Sequence, residues 1–328
     1  MNKFLIGIVL LCATSGFAQP FELDFTGFGE KYFKLSEKKV HISTFKVNYQ
    51  IMYTDSEFQA GGSTLGGGMK GSAKAILMLG LKGPSAEELV KTTDEIYEEF
   101  VKRLTSSGYT LVGLDQLTDF EPYEGWNKVK GGIGSEAQMK GFISVSPSGF
   151  EYMVKKIKDS GKESNGFDAG VGTRNNKLSK QLGGALVLNV VVNVPMAKPG
   201  KDFKTGLVNA LGGAAVSAVT DLRLGGSVAL NFMKKLGEQG GTNAFIKGES
   251  FPIEGVLESK SYKAMAVAKT DWGISAGMYT YFSFSDEEMK NMQPIEVDPS
   301  KYYSSVKGAT VDFLNTYMDK IDGYIDKK

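Results

Sequence analysis

The stretch NNKLSKQLGGALVLNVVVNV, from Asn175 to Val194, changes character in its middle. NNKLSKQL reads as a short amphipathic helix, and Gly183-Gly184 stops it. ALVLNVVVNV, from Ala185 to Val194, is then nearly continuous apolar sequence. Runs of that kind suit a central strand covered on both faces. A helix leading straight into a buried strand is the unit of an α/β fold.

The same order stands earlier in the chain. Gly83-Pro84 breaks the preceding element, Ser85 is placed to cap a helix, and Glu88 three residues on completes a capping box. Leu89, Ile96, Phe100 and Leu104 make one apolar stripe, with Glu87, Glu88, Glu95, Glu98, Glu99, Lys102 and Arg103 largely off it. Gly108 ends this helix, and Tyr109 to Val112 reads as a strand. Before it, Val40 to Tyr53 alternates with Phe45, Val47, Tyr49, Ile51 and Tyr53 on one side, which predicts a strand. Ala73 to Leu81 predicts another. Between the two helix–strand units, Phe150, Met153, Val154 and Ile157 have helical spacing, so a helix is expected over Pro147 to Ser160. Lys158 to Asn176 is polar and reads as a loop.

Downstream, Val216 to Leu224 and Val228 to Phe232 alternate around Gly225-Gly226, which predicts a hairpin. Ile274 to Phe284 alternates as well. Asp298 and Pro299 start a closing helix with Val306, Phe313, Tyr317, Ile321 and Tyr324 inward. The expected fold is mixed α/β (α+β): a mixed sheet with flanking helices, glycine-rich β-hairpins in the second half and a C-terminal amphipathic helix. The division expected is a leader over 1–18, an α/β domain over 19–196, and a β-hairpin-rich part over 197–328 packed on the same sheet.

The leader follows from MNK, the short apolar run FLIGIVLLCA, and Gly16 and Ala18 before Gln19. These are the three parts of a cleaved secretory signal. The apolar run is shorter than the roughly 20 residues a membrane span needs. Cys12, the one cysteine, lies in this leader behind Leu11, which is not the small residue a lipidated cysteine requires. The chain from Gln19 on therefore has no thiol for a disulfide, a metal or a nucleophile. The whole chain carries 38 Lys+Arg against 37 Asp+Glu. Such a balance provides no field to attract nucleic acid. With no N-x-[ST] acceptor and no disulfide, the pattern favours a bacterial export route.

Few residues carry chemistry. Gly66, Gly68 and Gly71 spell G-x-G-x-x-G, but no helix follows directly to hold a phosphate on its N-terminus. The Gly61 to Gly71 stretch reads instead as a mobile connection, with a hairpin tip at an assembly or membrane surface as the other reading. His41, the one histidine, is expected at a strand start as a surface or edge residue. No G-x-S-x-G elbow occurs, and no zinc site is expected. In LDQLTDFEPYEGW, Asp115, Asp119, Glu121 and Glu124 alternate with Phe120, Tyr123 and Trp126. Carboxylates beside aromatics suit sugars or a cation. The candidate binding residues are thus Asp119, Phe120, Glu121, Tyr123 and Trp126, against a plainer reading in which the aromatics fold back onto the core.

LTSSGYTLV and the later LSKQLGGALVLNVVVNV resemble the α/β domain shared by the curli secretion channel protein CsgG and the amino-terminal domain of TolB. The resemblance covers about Lys39 to Met196. It implies an envelope protein of binding or assembly type rather than an enzyme. The sequence thus leads us to expect an exported, non-catalytic protein of the periplasm, outer membrane or exterior, without a cofactor. Its partner is expected to be an envelope protein, a glycan or another copy of itself. A carboxylate-dependent hydrolase of envelope glycans and a channel-forming outer-membrane oligomer are the alternatives.

Overall fold

The computed structural model describes residues 21–59, 62–63, 69–70, 73–116, 123–159, 161–164, 170–200, 214–264 and 292–326. The expected leader, the fingerprint glycines Gly66, Gly68 and Gly71, and the alternating stretch Ile274 to Phe284 lie outside them.

The fold is mixed α/β, built on one eight-stranded mixed sheet. Its path runs β1 (Leu23–Phe28), β18 (Glu238–Pro252), β17 (Arg223–Lys235), β14 (Leu186–Val194), β2 (Lys39–Gln50), β10 (Phe142–Val145) and β9 (Gly134–Glu136). β7 (Thr110–Leu111) lies beside the start of β2, so β7 and β10 share one edge of that strand. β14 and β7 run parallel to β2, while the other pairs are antiparallel. Strands from both sides of residue 196 therefore belong to one sheet.

The alternation from Val40 to Tyr53 forms as two strands in different sheets. After Gln50 the chain passes through Ile51 and continues as β3 (Met52–Gln59). Ile51 and Met52 both donate to the carbonyl of Gly141, at 3.0 and 3.1 Å, and Leu81 donates to Ile51 at 2.8 Å. The crossing point is buried, and these bonds keep its backbone groups paired. Gly141 is required there: its φ is +80°, and a Cβ would lie 2.0 Å from the Met52 carbonyl oxygen.

β3 pairs antiparallel with β6 (Ala73–Lys82), which is joined in parallel by β20 (Gln293–Glu296). Between them, β4 (Gly62–Ser63) pairs with β5 (Met69–Lys70). The described residues of the glycine-rich stretch, Gly62–Ser63 and Met69–Lys70, are thus paired antiparallel. A strand follows it, as the sequence suggested.

α1 (Ala86–Ser106) has its stripe, Leu89, Ile96, Phe100 and Leu104, fully buried. Ser85 caps it by accepting from the Glu88 N–H at 3.2 Å, an interaction worth about 1 kcal/mol. The reciprocal half of the capping box is replaced: Ser85 N–H donates to the Tyr303 hydroxyl at 2.8 Å. That hydroxyl comes from α3 (Pro299–Ile325), capped by Asp298 accepting from the Lys301 N–H at 2.9 Å. At the far end Arg103 bridges Asp319 and Asp322 at 2.7 and 2.8 Å, and the Tyr109 hydroxyl donates to Asp322 at 2.7 Å. α1 and α3 together close one face of the large sheet over Phe45, Val47, Tyr49 and Val190.

Three expectations fail. Lys158 to Asn176 is not a loop throughout, because α2 (Val171–Gln181) begins inside it. Pro147 to Ser160 is not helical: it forms β11 (Glu151–Val154), paired with β8 (Asn127–Lys130), and β12 (Lys156–Ile157), paired with β13 (Glu163–Ser164). Tyr152 and Val154 are buried and Glu151 is exposed, so period two wins over an apolar spacing that fits both. Val216 to Phe232 is not a hairpin either. β16 (Val216–Thr220) pairs with β15 (Ala197–Pro199) and β19 (Ser261–Ala264), and the chain then crosses into β17. Gly225-Gly226 sits inside β17 at a register shift rather than at a turn. The actual hairpin joins β17 to β18.

Candidate binding face of the large sheet

Alternate residues of β14 meet opposite surroundings. Leu186, Leu188, Val190, Val192 and Val194 are buried in the main core under α1 and α3. Val187 starts the other face, in a small second core with Val112, Leu178, Leu182 and Ala185 beneath α2 (Val171–Gln181). Beyond α2 the same face continues with Asn189, Val191 and Asn193, all half-buried. The apolar run was expected to be covered on both faces; it is covered on one and only partly on the other.

Register extends this face sideways. One row reads Lys46, Val191, Ser227, Phe245 and Asp24 across five strands. The next reads Thr44, Asn189, Ala229, Asn243 and Thr26. A third places Ser135, Ser144, Asn48, Asn193 and Gly225 side by side. Asn48 donates to the Asn193 side-chain oxygen at 2.8 Å. The Asn189 amide nitrogen is buried without a hydrogen-bond partner among the described residues. Phe245 and Phe28 are exposed, at 43% and 56%.

Two clefts meet on this face at Asn193. The first, about 460 Å³, lies between the sheet and the small strand pairs and is lined by Thr44, Lys46, Asn48, Gln138, Ser144, Tyr152, Glu163 and Asn193, among others. The second, about 420 Å³, is lined by Asp24, Asn193, Ser227, Phe245 and Glu249. Glu249 has a φ of +72°, in a break of the β17–β18 register. A non-glycine residue held there is strained, and such positions gather at functional sites.

The charges of the first cleft are paired. Lys46 bonds Glu163 and lies over the Tyr152 ring, 4.6 Å from its centroid. Tyr152 donates to the other Glu163 oxygen. Burial, with the Glu163 carboxylate beside it, pushes the Tyr152 hydroxyl well above its usual pKa, so it stays protonated and remains a donor. Lys162 meets Glu136 at 2.9 Å. These two ion pairs hold the β12–β13 strand pair across the sheet. The lining offers amides and hydroxyls that both donate and accept.

The aromatic segment favoured by the sequence lies elsewhere. Asp119, Phe120 and Glu121 are outside the described residues. Tyr123 packs on the second core and bonds Ser43 at 3.3 Å through its hydroxyl. Trp126 meets it edge to face, ring centroids 5.3 Å apart, and the Arg174 guanidinium lies 4.3 Å from the centroid of the Trp126 ring. Tyr123 thus meets a core, and both aromatics meet an α2 side chain. His41 is buried rather than at a surface: its Nδ1 donates to the Val112 carbonyl at 2.8 Å, and burial lowers its pKa.

Lys46, Asn48, Tyr152, Glu163 and Asn193 were missed by sequence reasoning. The available signal was the interruption of an apolar strand by Asn189 and Asn193 at even spacing, with Lys46 and Asn48 alternating against Phe45 and Val47. Among the described residues, no group of three His, Cys, Asp or Glu side chains is arranged to hold a metal, and no helix is long and apolar enough to cross a membrane. Comparison with known proteins finds no matching family model, no similar curated protein and no similar solved structure.

Proposed function

We propose that this chain is an exported, non-catalytic protein of the bacterial envelope or exterior that acts by binding a partner. Its working surface is the half-open face of the large sheet. The observation that carries the reading is the meeting of two clefts at Asn193 on a face lined by amides and hydroxyls. A sheet face that only had to be solvated would not need such a recess, and concave polar sites with a few convergent groups are where ligands bind. The leader and the resemblance to envelope α/β domains supply the export half of the proposal. His41, the one histidine, is buried and lines neither cleft.

Fractionation of the native cells, with the mature N-terminus sequenced, tests export. A chain starting at Gln19 outside the cytoplasm is the expected result. A chain retaining Met1 in the cytoplasm would contradict it. A turnover abolished by one carboxylate substitution, such as Glu163→Gln, would overturn the non-catalytic part.

A further inference from the structure

We infer that the ligand of this face is a neutral oligosaccharide, bound across β2, β14, β17 and β18. The inference rests on the binding role proposed above and adds the chemistry of what is bound.

Charge narrows the class first. The lysine and glutamate charges of the first cleft neutralise one another, Lys46 with Glu163 and Lys162 with Glu136. Among the described residues that line it, the second cleft presents Asp24 and Glu249 and no cation, and Lys247, which lies close enough to act on Asp24, is paired with Glu22. An anionic ligand would be repelled by those two exposed carboxylates, and like-charge juxtaposition disfavours such a partner. A lipid-like ligand would leave the donors and acceptors that the Asn48–Asn193 pair does not use within itself, and the Ser144 and Ser227 hydroxyls, without partners, at a cost that polar pockets impose on apolar guests.

Hydrogen-bond chemistry then favours hydroxyls. Asn48, Asn193, Ser144, Ser227 and Thr44 each donate and accept, as sugar hydroxyls do. Carboxylates accept from adjacent hydroxyls in the charge-assisted way that strengthens such bonds. Phe245, exposed beside Asp24 and Asn193, offers a flat apolar face to the C–H side of a sugar ring. From Lys46 on β2 to Phe245 on β18 the register crosses three strand spacings, roughly 14 Å. That span calls for several linked sugars rather than one.

The test is a binding array of the purified full-length protein. It carries neutral oligosaccharides of glucose, mannose and N-acetylglucosamine, acidic oligosaccharides of galacturonate, and tiled peptides. Wild type is compared with the double variant Asn48→Val/Asn193→Val and with Phe245→Ala. Replacing both members of the amide pair by β-branched side chains suits a strand and leaves no orphaned partner; Tyr152→Phe serves as a second variant that keeps the ring. Thermal melts report folding of each. The expected result is binding of neutral oligosaccharides, weakened about tenfold or more in folded variants. Binding of acidic glycans or peptides instead, lost in the same variants, overturns the ligand class while leaving the binding face standing. No binding to anything on the array, or binding that the variants leave unchanged, overturns both.

Discussion

Two faces of one sheet diverge within β14. Leu186, Leu188, Val190, Val192 and Val194 are buried beneath α1 and α3; Val191 and Asn193, on the other face, line half-open clefts, with Asn189 half-buried beside them. The backbone geometry is the same for both sets, so the difference lies in what covers them. On the first face Phe45, Phe100, Tyr49 and Tyr317 fill the space between sheet and helices without a charge among them. On the second, ion pairs and amides border space that the described residues leave unfilled. The first face is built for stability and the second is free to bind, because surface polar substitutions away from special features cost little.

Substitutions sharpen this contrast. Phe45→Ala, fully buried on the covered face, should cost about 3–5 kcal/mol in urea unfolding. A loss under about 1 kcal/mol would mean that this face is not the core. Asp322→Ala removes the carboxylate shared by Tyr109 and Arg103 and should cost about 1.5–3 kcal/mol. Asp319→Ala, whose side chain is 71% exposed in the same cluster, should change stability by less than about 1 kcal/mol. Equal losses for the two would show that burial does not separate them.

His41 gives a pH signature at the border between the faces. Burial lowers its folded pKa, although its bond to the Val112 carbonyl works the other way. Below about pH 6.5 the unfolded chain takes up a proton that the folded chain refuses. Stability is therefore whole above that pH and falls as acid is added down to the folded pKa. His41→Gln should flatten the slope between about pH 6.5 and 5; a slope unchanged in the variant would remove His41 as its cause. The smallest effect is expected for Asn48→Val/Asn193→Val, within about 1 kcal/mol of wild type, measured by the same unfolding curves. A loss as large as that of Phe45→Ala would make the amide pair part of the core.

The covered face was legible in the sequence. The stripe of α1, the caps Ser85 and Asp298, the glycine stop after α2 and the central place of ALVLNVVVNV all come from local periods and local hydrogen bonds, and these are set within a few residues. The open face was not. Lys46 meets Glu163 and Asn48 meets Asn193, each across a separation that no local pattern records. The apolar spacing of Phe150, Met153, Val154 and Ile157 misled for a related reason. It fits a helix in isolation, whereas pairing of Tyr152 with Val129 settles it as a strand. Tyr123 and Trp126 drew attention because aromatics and carboxylates crowd that segment. In the fold Tyr123 packs on the second core, and both lie beside Arg174.

The most direct test places the bound ligand on the molecule. Hydroxyl-radical footprinting of the full chain, with and without a saturating neutral oligosaccharide taken from the array, reads aromatic side chains one by one. The account predicts protection of Phe245, exposed in the free protein, with Tyr123 and Trp126 unchanged. Protection of Tyr123 and Trp126, with Phe245 still fully reactive, would contradict it and return the site to the aromatic segment.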